Sequence, residues 1–271
     1  MSAIQPGITL SDSDFRQIAG LAAGEAGLAI PESKKSLVQS RVARRMRALG
    51  FKECKDYLAT LNGNEAETQH LISALTTNVS SFFRETHHFE HIRDAVLKDA
   101  PKGRLRFWSA GCSNGQEPYS LAIEVLKAIP DAARHDVLIL ASDIDRNVLA
   151  KAERGIYSAS EIDGIPKQDR ASFLQELPDG THQVIEAIRN LVRFRQLNLN
   201  AGSWPMKGPF DAIFCRNVVI YFNDDTQAAL WPRFRAMLKP NGLLMLGHSE
   251  RLHPIEGSGF EAVGVTTYRK L

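Results

Sequence analysis

Residues 104–120 read RLRFWSAGCSNGQEPYS, and this stretch decides the fold. A short apolar run around Phe107 and Trp108 ends in the small and polar residues Ala110–Gly115, and a helical pattern of apolar residues follows. The stretch predicts a strand, a glycine turn and a helix. Gly111 lets the backbone approach a ligand closely, and the free N–H groups at a helix start favour an anion. A plain structural turn has the same pattern and remains the alternative.

A second apolar run, residues 137–142, ends in the acids Asp143 and Asp145. In open α/β sheets the ligand crevice lies beyond the carboxyl ends of the strands, and an acid after the second strand typically binds ribose hydroxyls. A carboxylate suits this role because it only accepts, whereas a ribose diol offers two donors. We expect Asp143 to bind a ribose and Asp145 to cap the next helix, although either acid fits a purely capping role.

From residue 104 onward, apolar runs alternate with helical patterns, which is typical of a mostly parallel sheet with helices on both faces. The predicted strands are 104–110, 137–142, 192–197, 210–215, 242–247 and 260–269. Residues 156–191 are too long for one helix and its loops. They predict an inserted subdomain with a turn at Asp179–Gly180, two ordinary helices being the alternative.

The pattern before residue 84 is helical throughout, with a cap at Ser11–Asp14 before the first helix and an end of the second helix at Gly50. We therefore predict an all-helical N-terminal domain over residues 1–83, then a connecting helix and linker over 84–103. An α/β domain follows over 104–271, with the insertion at about 156–191.

Composition limits the compartment and the partners. The chain has 271 residues, 44% of them apolar, and a net charge of +2, which allows two domains and disfavours general polyanion binding. No run approaches the ~20 apolar residues that cross a bilayer, and no signal peptide pattern is present. The odd number of distant cysteines predicts no disulfide and no zinc site. We expect a cytoplasmic monomer without membrane insertion.

The predicted second helix, residues 34–49, carries cations and no acid. Lys34, Arg41, Arg44 and Arg45 gather in one arc of this helix, beside an apolar arc that faces the core. A solvated face is the ordinary interpretation, but the unmixed sign favours a binding face for an acidic partner. We expect a protein rather than nucleic acid, because the chain shows no aromatic stacking platform.

Five motifs occur in order along the chain: TTNVSSFFRE at 76–85, AGCSNGQEPYS at 110–120, ASDID at 141–145, CRNVVIYF at 215–222 and GHSE at 247–250. Together they resemble the CheR-type chemotaxis receptor methyltransferases over nearly the whole chain. The resemblance implies a Rossmann-like methyltransferase domain with a small β insertion, preceded by a small all-helical domain. It also implies methyl transfer from S-adenosylmethionine to glutamate side chains of chemoreceptor cytoplasmic domains, with S-adenosylhomocysteine as product.

The resemblance also assigns roles to matching residues. With Gly111 of the glycine turn, the expected cofactor-binding residues are Asn78, Ser80, Arg84, Glu117, Asp143, Asn198, Leu199, Arg216 and Asn217. Arg84 and Tyr221 are the expected catalytic residues; a salt bridge for Arg84 and plain packing for Tyr221 are the alternatives. The cationic arc of residues 34–49 matches the surface that meets the receptor. Ser80 stands where threonine is common, and Gln116 stands where many relatives have a second acid.

A glutamate acceptor, with a reference pKa of about 4.3, is already ionised at neutral pH, so the reaction needs positioning and no general base. We therefore expect His248 to make a structural hydrogen bond. His87 and His91 share a helix face suited to a metal, but carboxylate alkylation needs none, so no metal is expected. A methyltransferase for nucleic acid or a small molecule, and a non-enzymatic S-adenosylmethionine binder, remain alternatives. The turn at 177–182 is short, so we do not expect it to hold a receptor tail.

Overall fold

The computed structural model describes residues 8–76, 78–98 and 103–271, which form two compact units. The helical unit is Met1–Thr77 with Tyr221–Asn223, and the α/β unit is Asn78–Ile220 with Asp224–Leu271. The division falls ahead of the predicted domain end at residue 83. No helix in the described ranges has the length and apolar character that a membrane span requires.

The described part of the helical unit is built from α1 (Asp12–Ala26), α2 (Lys35–Leu49), α3 (Cys54–Leu61) and α4 (Glu65–Leu75). The predicted cap of the first helix is confirmed, because Asp14 N–H donates to the Ser11 hydroxyl at 3.1 Å and the Asp14 carboxylate accepts the Ser11 N–H at 3.0 Å. The predicted stop at Gly50 is also confirmed, since its φ of 80° is a left-handed conformation that favours glycine. Ile18, Val42 and other apolar residues of these helices form one core.

The helices of the α/β unit are α5 (His87–Ile92), α6 (Gln116–Ala128), α7 (Arg146–Arg154), α8 (Lys167–Phe173), α9 (Glu186–Arg189) and α10 (Asp224–Met237). Its strands are β1 (Leu105–Ala110), β2 (Val137–Asp143), β3 (Ile156–Tyr157), β4 (Leu174–Glu176), β5 (His182–Val184), β6 (Val192–Gln196), β7 (Phe210–Cys215), β8 (Leu238–Leu246), β9 (Phe260–Gly264) and β10 (Thr267–Lys270).

The main sheet has seven strands in the order β6-β2-β1-β7-β8-β10-β9. The first five run parallel, and β10 is antiparallel to both β8 and β9. At the centre, Phe107 of β1 is in register with Ile139 of β2 and Ala212 of β7. The central strands β1 and β7 are buried almost throughout, as expected for strands covered on both faces, whereas the edge strand β6 has exposed polar residues. The predicted Rossmann-like fold is confirmed.

The prediction of one edge strand over residues 260–269 is wrong. Two strands, β9 and β10, form a hairpin there, and Thr266 at the turn has a φ of 48°. Val265 and Thr266 at the turn are β-branched residues, which favour strands, so residue type did not reveal the break. The expected connecting helix over 85–98 is α5 followed by a π-helical turn, Arg93–Leu97.

The insertion between β2 and β6 contains a small sheet of three strands, in the order β3-β5-β4. Its predicted turn is confirmed: Gly180 N–H donates to the Leu177 carbonyl at 2.9 Å, and Leu177 N–H donates to the Thr181 carbonyl at 2.8 Å. The apparent alternation over 184–188 is instead the end of β5 followed by α9. The insertion is therefore a β subdomain and not a pair of ordinary helices.

Candidate functional site

The carboxyl ends of five parallel strands meet at one edge of the main sheet, and the loops that follow these strands adjoin there. Sequence-predicted cofactor residues lie in these loops: Gly111 and Glu117 after β1, Asp143 at the end of β2, Asn198 and Leu199 after β6, and Arg216 and Asn217 after β7. The strand ends therefore bring together residues that lie far apart in the chain.

The loop after β1 needs its glycine. Gly111 has a φ of 87°, and a Cβ placed there would lie 2.2 Å from Cγ2 of Val218 in the loop after β7. Its N–H donates to the Ser142 carbonyl at 2.7 Å, which ties the loop to the end of β2. Gly115, with a φ of 86°, precedes the first residue of α6. The predicted strand, glycine turn and helix are confirmed.

The two acids after β2 have different partners. Asp143 is 8% exposed and accepts the N–H groups of Ser113 at 2.8 Å and Asp145 at 3.0 Å. Burial raises the pKa of Asp143, although these N–H groups pull it the other way. Asp145 caps α7 by accepting the Asn147 N–H at 2.8 Å, as predicted. It also accepts Nδ2 of Asn78 at 2.9 Å, which brings the segment before β1 to this edge.

The loop after β6 is fixed by backbone contacts. Leu197 N–H donates to the Asp143 carbonyl at 2.9 Å, and Asn198 Oδ1 accepts the N–H of residue 200 at 2.9 Å. Leu199 is buried, and its carbonyl accepts Nη1 of Arg233 at 3.0 Å. Asn198 and Leu199 therefore lie beside Asp143.

Arg216 forms ion pairs with two carboxylates at this edge. Its side chain is 2% exposed, with Nη1 3.2 Å from Oε2 of Glu117 and Nη2 3.4 Å from Oε2 of Glu85. It also donates to the Arg84 carbonyl. Burial raises the pKa of Glu117, while Arg216 and the Ser109 hydroxyl, 2.7 Å from Oε1, oppose the rise. A buried guanidinium flanked by two carboxylates fits an ion-pair network that aligns the loops.

Glu250 is the residue that sequence reasoning missed. It is 3% exposed, and Oε2 accepts the N–H groups of Gly247 at 2.6 Å and Asn217 at 2.8 Å. Oε1 accepts those of Val218 at 2.8 Å and Ile220 at 3.2 Å. One carboxylate thus fixes the loops after β7 and β8 together. Its sequence signal was its place as the last residue of the GHSE motif at 247–250, to which no role was assigned.

Strained backbone concentrates at the same edge. Phe83, Glu85, Ser113 and Asn217 have φ values of 53°, 57°, 49° and 58°, which non-glycine residues adopt at a cost. Such strain persists only where surrounding contacts impose it, and it clusters at functional sites. Arg84 lies between two of these residues, and Ser80, earlier in the same segment, is half-buried.

Glu85, His87 and His88 form a cluster whose potential ligand atoms lie within 4.8 Å of one another. The Arg216 guanidinium, 3.4 Å from Oε2 of Glu85, would repel a divalent cation there. Burial, and next to it Arg216, lower the pKa of His88 to about 3, so this imidazole stays neutral. The charges favour an ion-pair network at this cluster, and the absence of a metal stays a prediction.

Tyr221 and the cationic arc belong to the helical unit. The Tyr221 carbonyl accepts the Ala29 N–H at 2.7 Å, and the Lys34 ammonium lies 6.0 Å from the centre of the Tyr221 ring. The packing alternative thus has direct contacts, and the catalytic role of Tyr221 stays a prediction.

Two of the four predicted receptor-binding cations have internal partners. Arg41 donates to the Leu75 carbonyl at 2.7 Å, at the end of α4. Arg45 Nε donates to Glu67 at 2.8 Å, and Glu67 also accepts the Tyr57 hydroxyl at 2.9 Å. These arginines hold α2 against α3 and α4, whereas Lys34 and Arg44 are exposed.

Comparison with known proteins agrees with this geometry. The family profile described as "CheR methyltransferase, all-alpha domain" matches residues 13–76, and "CheR methyltransferase, SAM binding domain" matches residues 78–269. A probable chemotaxis protein methyltransferase of Rhizobium etli is 43% identical over 255 residues, which cover 90% of this chain and 95% of the relative. The chemotaxis protein methyltransferase of Salmonella typhimurium is 41% identical over 266 residues, covering 96% and 91%.

The chemotaxis protein methyltransferase of Escherichia coli is 40% identical over 266 residues, covering 96% of this chain and 92% of the relative. The cofactor is therefore S-adenosylmethionine, bound by the α/β unit, and the protein is a methyltransferase. Both family profiles, in order and together spanning nearly the whole sequence, place the chain in the CheR methyltransferase family.

Proposed function

We propose that this methyltransferase esterifies glutamate side chains on the cytoplasmic domains of chemoreceptors. The observation that carries the proposal is the likeness to chemotaxis protein methyltransferases along at least 90% of this chain and of each relative. The acceptor class also agrees with cations at the strand-end edge, where Arg84 is 34% exposed. We further propose that the protein acts in the cytoplasm as a monomer.

The residues at the strand-end edge fit S-adenosylmethionine. Asp143 keeps lone pairs for a ribose diol, since a carboxylate accepts about four hydrogen bonds. Glu117 suits the ammonium of the methionine part, and some of the five N–H groups of Arg84 suit its carboxylate, which leaves others for the acceptor. Arg216 has a buried Nε–H without a hydrogen-bond partner among the described residues, so a donor remains available there. Gly111 lets the loop after β1 pack closely on Val218 of the loop after β7, so it would support the cofactor site through its backbone.

The remaining predicted cofactor residues would line other parts of the same binding site. Asn198 and Leu199 would form the wall on the adenine side. Asn78, Ser80 and Asn217 would make further contacts with the cofactor. Leu199 is buried and apolar, which suits a flat aromatic base. Asn78 reaches the edge through Asp145, and Asn217 through Glu250.

Bound S-adenosylmethionine supplies a methyl group that passes to a carboxylate oxygen as the C–S bond breaks and its electron pair stays on sulfur. The acceptor is already ionised at neutral pH, so the protein needs to align it rather than deprotonate it. Arg84 is our first candidate for stabilising the acceptor carboxylate when that group leaves its hydration shell, and Tyr221 is the second candidate. Arg84 would act by its positive charge and its hydrogen bonds, and Tyr221 would act by a hydrogen bond from its hydroxyl.

The exposed cations of α2 suit an acidic region of the receptor. Lys34 and Arg44 are exposed, and Leu37 between them is 44% exposed. A mixed cationic and apolar helix face of this kind complements an acidic amphipathic partner. We propose Lys34 and Arg44 as direct receptor contacts, and Arg41 and Arg45 as the residues that fix the helix carrying them.

The test is methyl transfer to purified receptor cytoplasmic fragments from S-adenosylmethionine labelled in its methyl group. We expect label in the fragment that base releases as methanol, and mass spectrometry should place it on glutamates. The matched control is a fragment in which those glutamates are alanine. Label on DNA alone, or base-stable label on another side chain, would contradict the proposal.

A further inference from the structure

His248 and Glu85 form a pair in which an exposed imidazole rests on a shielded carboxylate. The two side chains are 67% and 10% exposed, and His248 Nδ1 lies 3.3 Å from Oε1 of Glu85. The backbone N–H of His248 donates to the same oxygen at 3.2 Å. Two contacts to one oxygen fix both the position and the orientation of the ring. Nε2 then faces away from Glu85 and has no partner among the described residues.

Arg84 also approaches Oε1 of Glu85, the oxygen that His248 contacts. Its Nε is 4.0 Å from Oε1 of Glu85, and its side chain is 34% exposed. Nη1 of Arg84 donates to the Val79 carbonyl at 3.1 Å, which restrains the guanidinium. Val79 itself is 72% exposed. Two partly exposed donor groups therefore flank one shielded acid, and the exposed residue Val79 adjoins the Arg84 guanidinium through its carbonyl.

Glu85 is held in its charged form. Burial alone would raise its pKa, but Arg216 and the hydrogen bonds from His248 outweigh this effect and leave the pKa below its ordinary value. Its backbone φ of 57° shows that neighbouring contacts impose this placement. A carboxylate fixed at such a cost orients the donors around it.

The pair adjoins the residues that we propose for the cofactor. A Cβ on Gly247 would lie 2.5 Å from Nδ2 of Asn217, so the loop that carries His248 packs directly on the loop after β7. Glu250 ties the same two loops by their N–H groups. Glu85 meets Arg216 from the other side. His248 thus lies next to the loop that carries the proposed cofactor residues Arg216 and Asn217.

We propose that His248, oriented by Glu85 and paired with Arg84, forms a subsite that binds the side-chain carboxylate of the acceptor. The inference rests on the proposed function. Nδ1 meets the Glu85 carboxylate, so Nε2 is the ring nitrogen that would donate to the acceptor carboxylate. Charge-assisted hydrogen bonds to a carboxylate are the strong ones, and two donors suit its two oxygens. Val79 offers apolar surface to the methylene groups of the acceptor.

The test compares His248→Leu, His248→Gln and the wild-type enzyme on receptor fragments. We expect His248→Leu to raise the KM for the fragment about tenfold or more, because a hydrogen bond to a charged group is lost. The Kd for S-adenosylhomocysteine, from calorimetry, should change less than about twofold. His248→Gln should recover part of the loss, because its amide can still donate near the position of Nε2. The control is His70→Leu, on the exposed surface of α4.

An unchanged KM in His248→Leu would overturn the subsite while leaving receptor methylation standing. A parallel loss of S-adenosylhomocysteine affinity would instead assign His248 to cofactor binding and refute the subsite. If the wild-type enzyme labels no receptor fragment, the proposed function fails, and the subsite fails with it. Equal KM values in the glutamine and leucine variants, both raised, would show that ring packing matters and hydrogen bonding does not.

Discussion

Arg216 and Glu117 join the end of β7 to the first turn of α6, with Nη1 3.2 Å from Oε2. Their side chains are 2% and 14% exposed, so water weakens the pair little. Sequence separates them by 99 positions, and only the parallel sheet brings them together. The two proposed cofactor residues thus depend on each other for position.

Glu117→Gln tests this dependence. The amide keeps the shape but removes the charge, leaving Arg216 with Glu85 as its one carboxylate partner at this edge. We expect the Kd for S-adenosylhomocysteine to rise about tenfold, equivalent to about 1.4 kcal/mol, by calorimetry. Glu153→Gln, on an exposed position of α7, is the control and should bind as the wild type does. Equal affinities in the two variants would remove Glu117 from the cofactor site.

Glu250→Gln should loosen both loops that Glu250 holds. The amide has one accepting oxygen, so its NH₂ group would face two of the N–H groups that the carboxylate now accepts. We expect a loss of about 2 kcal/mol or more in the free energy of unfolding, measured with urea, because buried donors lose their acceptor. Glu256→Gln, exposed in the same region, should be neutral. The interpretation is wrong if Glu250→Gln unfolds at the wild-type urea concentration.

Asp143→Asn and Asp145→Asn separate the two acids after β2. Asparagine caps a helix as well as aspartate does, so Asp145→Asn should keep α7 and lose only the hydrogen bond from Asn78, and it should raise the Kd for S-adenosylhomocysteine less than Asp143→Asn does. Asp143→Asn would place an NH₂ group against an N–H donor and weaken the ribose contact. We expect its Kd for S-adenosylhomocysteine to rise about tenfold or more. The reverse ranking of the two variants would assign the ribose to Asp145.

Arg44→Glu and Arg45→Glu should differ although the residues are adjacent. Arg44 is exposed, so its reversal should leave thermal unfolding unchanged and slow methylation of the receptor fragment. Arg45→Glu would place an acid against Glu67, which is 9% exposed and also bonded to Tyr57. We expect it to cost about 3 kcal/mol in the free energy of unfolding, as when a shielded ion pair loses one partner.

Salt provides the second measurement on the Arg44 variant. The wild-type rate at low receptor concentration should fall as ionic strength rises, because salt screens the attraction between opposite charges. The Arg44→Glu rate should fall less steeply. If both rates respond equally to salt, the exposed part of α2 does not meet the receptor.

His88 should make the fold sensitive to acid. The imidazole is 0% exposed, and its Nε2 lies 3.0 Å from the Thr266 hydroxyl. Burial is the main cause that lowers its pKa from 6.5 to about 3, so the unfolded chain binds this proton more readily than the folded chain does. Its contribution to stability is therefore complete above about pH 6.5 and is lost as the pH falls toward about 3.

His88→Gln checks this sign. The variant should be less stable than the wild type at pH 7.5, and the difference should shrink as the pH falls below 6.5. Urea unfolding at several pH values measures both quantities, with His70→Gln as the exposed control. A difference that stays constant between pH 7.5 and pH 4 would show that His88 does not titrate as its burial requires.

Local chemistry made much of this fold predictable. The Ser11 cap, the stop at Gly50 and the turn at Asp179–Gly180 depend on residues within a few positions of one another. The carboxyl ends of parallel strands share one edge, so the grouping of Gly111 and Asp143 also followed from the alternation of strands and helices.

Long-range pairing was the part that sequence could not supply. The partners of Glu250 lie 30 to 33 residues away, except for Gly247, and Glu67 lies 22 residues from Arg45. A helical arc of cations shows which side chains share a face, but not which of them meets a neighbouring helix. The hairpin at Thr266 escaped notice because Val265 and Thr266 at its turn are β-branched residues of the kind that strands contain.

The strand order also has a consequence for biosynthesis. β1 pairs with β2 on one side and with β7 on the other, and β7 comes roughly a hundred residues later in the chain. At translation rates of about 5–20 residues per second, one hydrogen-bonding edge of β1 stays unpaired for roughly 5–20 s after the strand is made. Unpaired strand edges recruit other strands, so the emerging chain is open to wrong pairing during this interval.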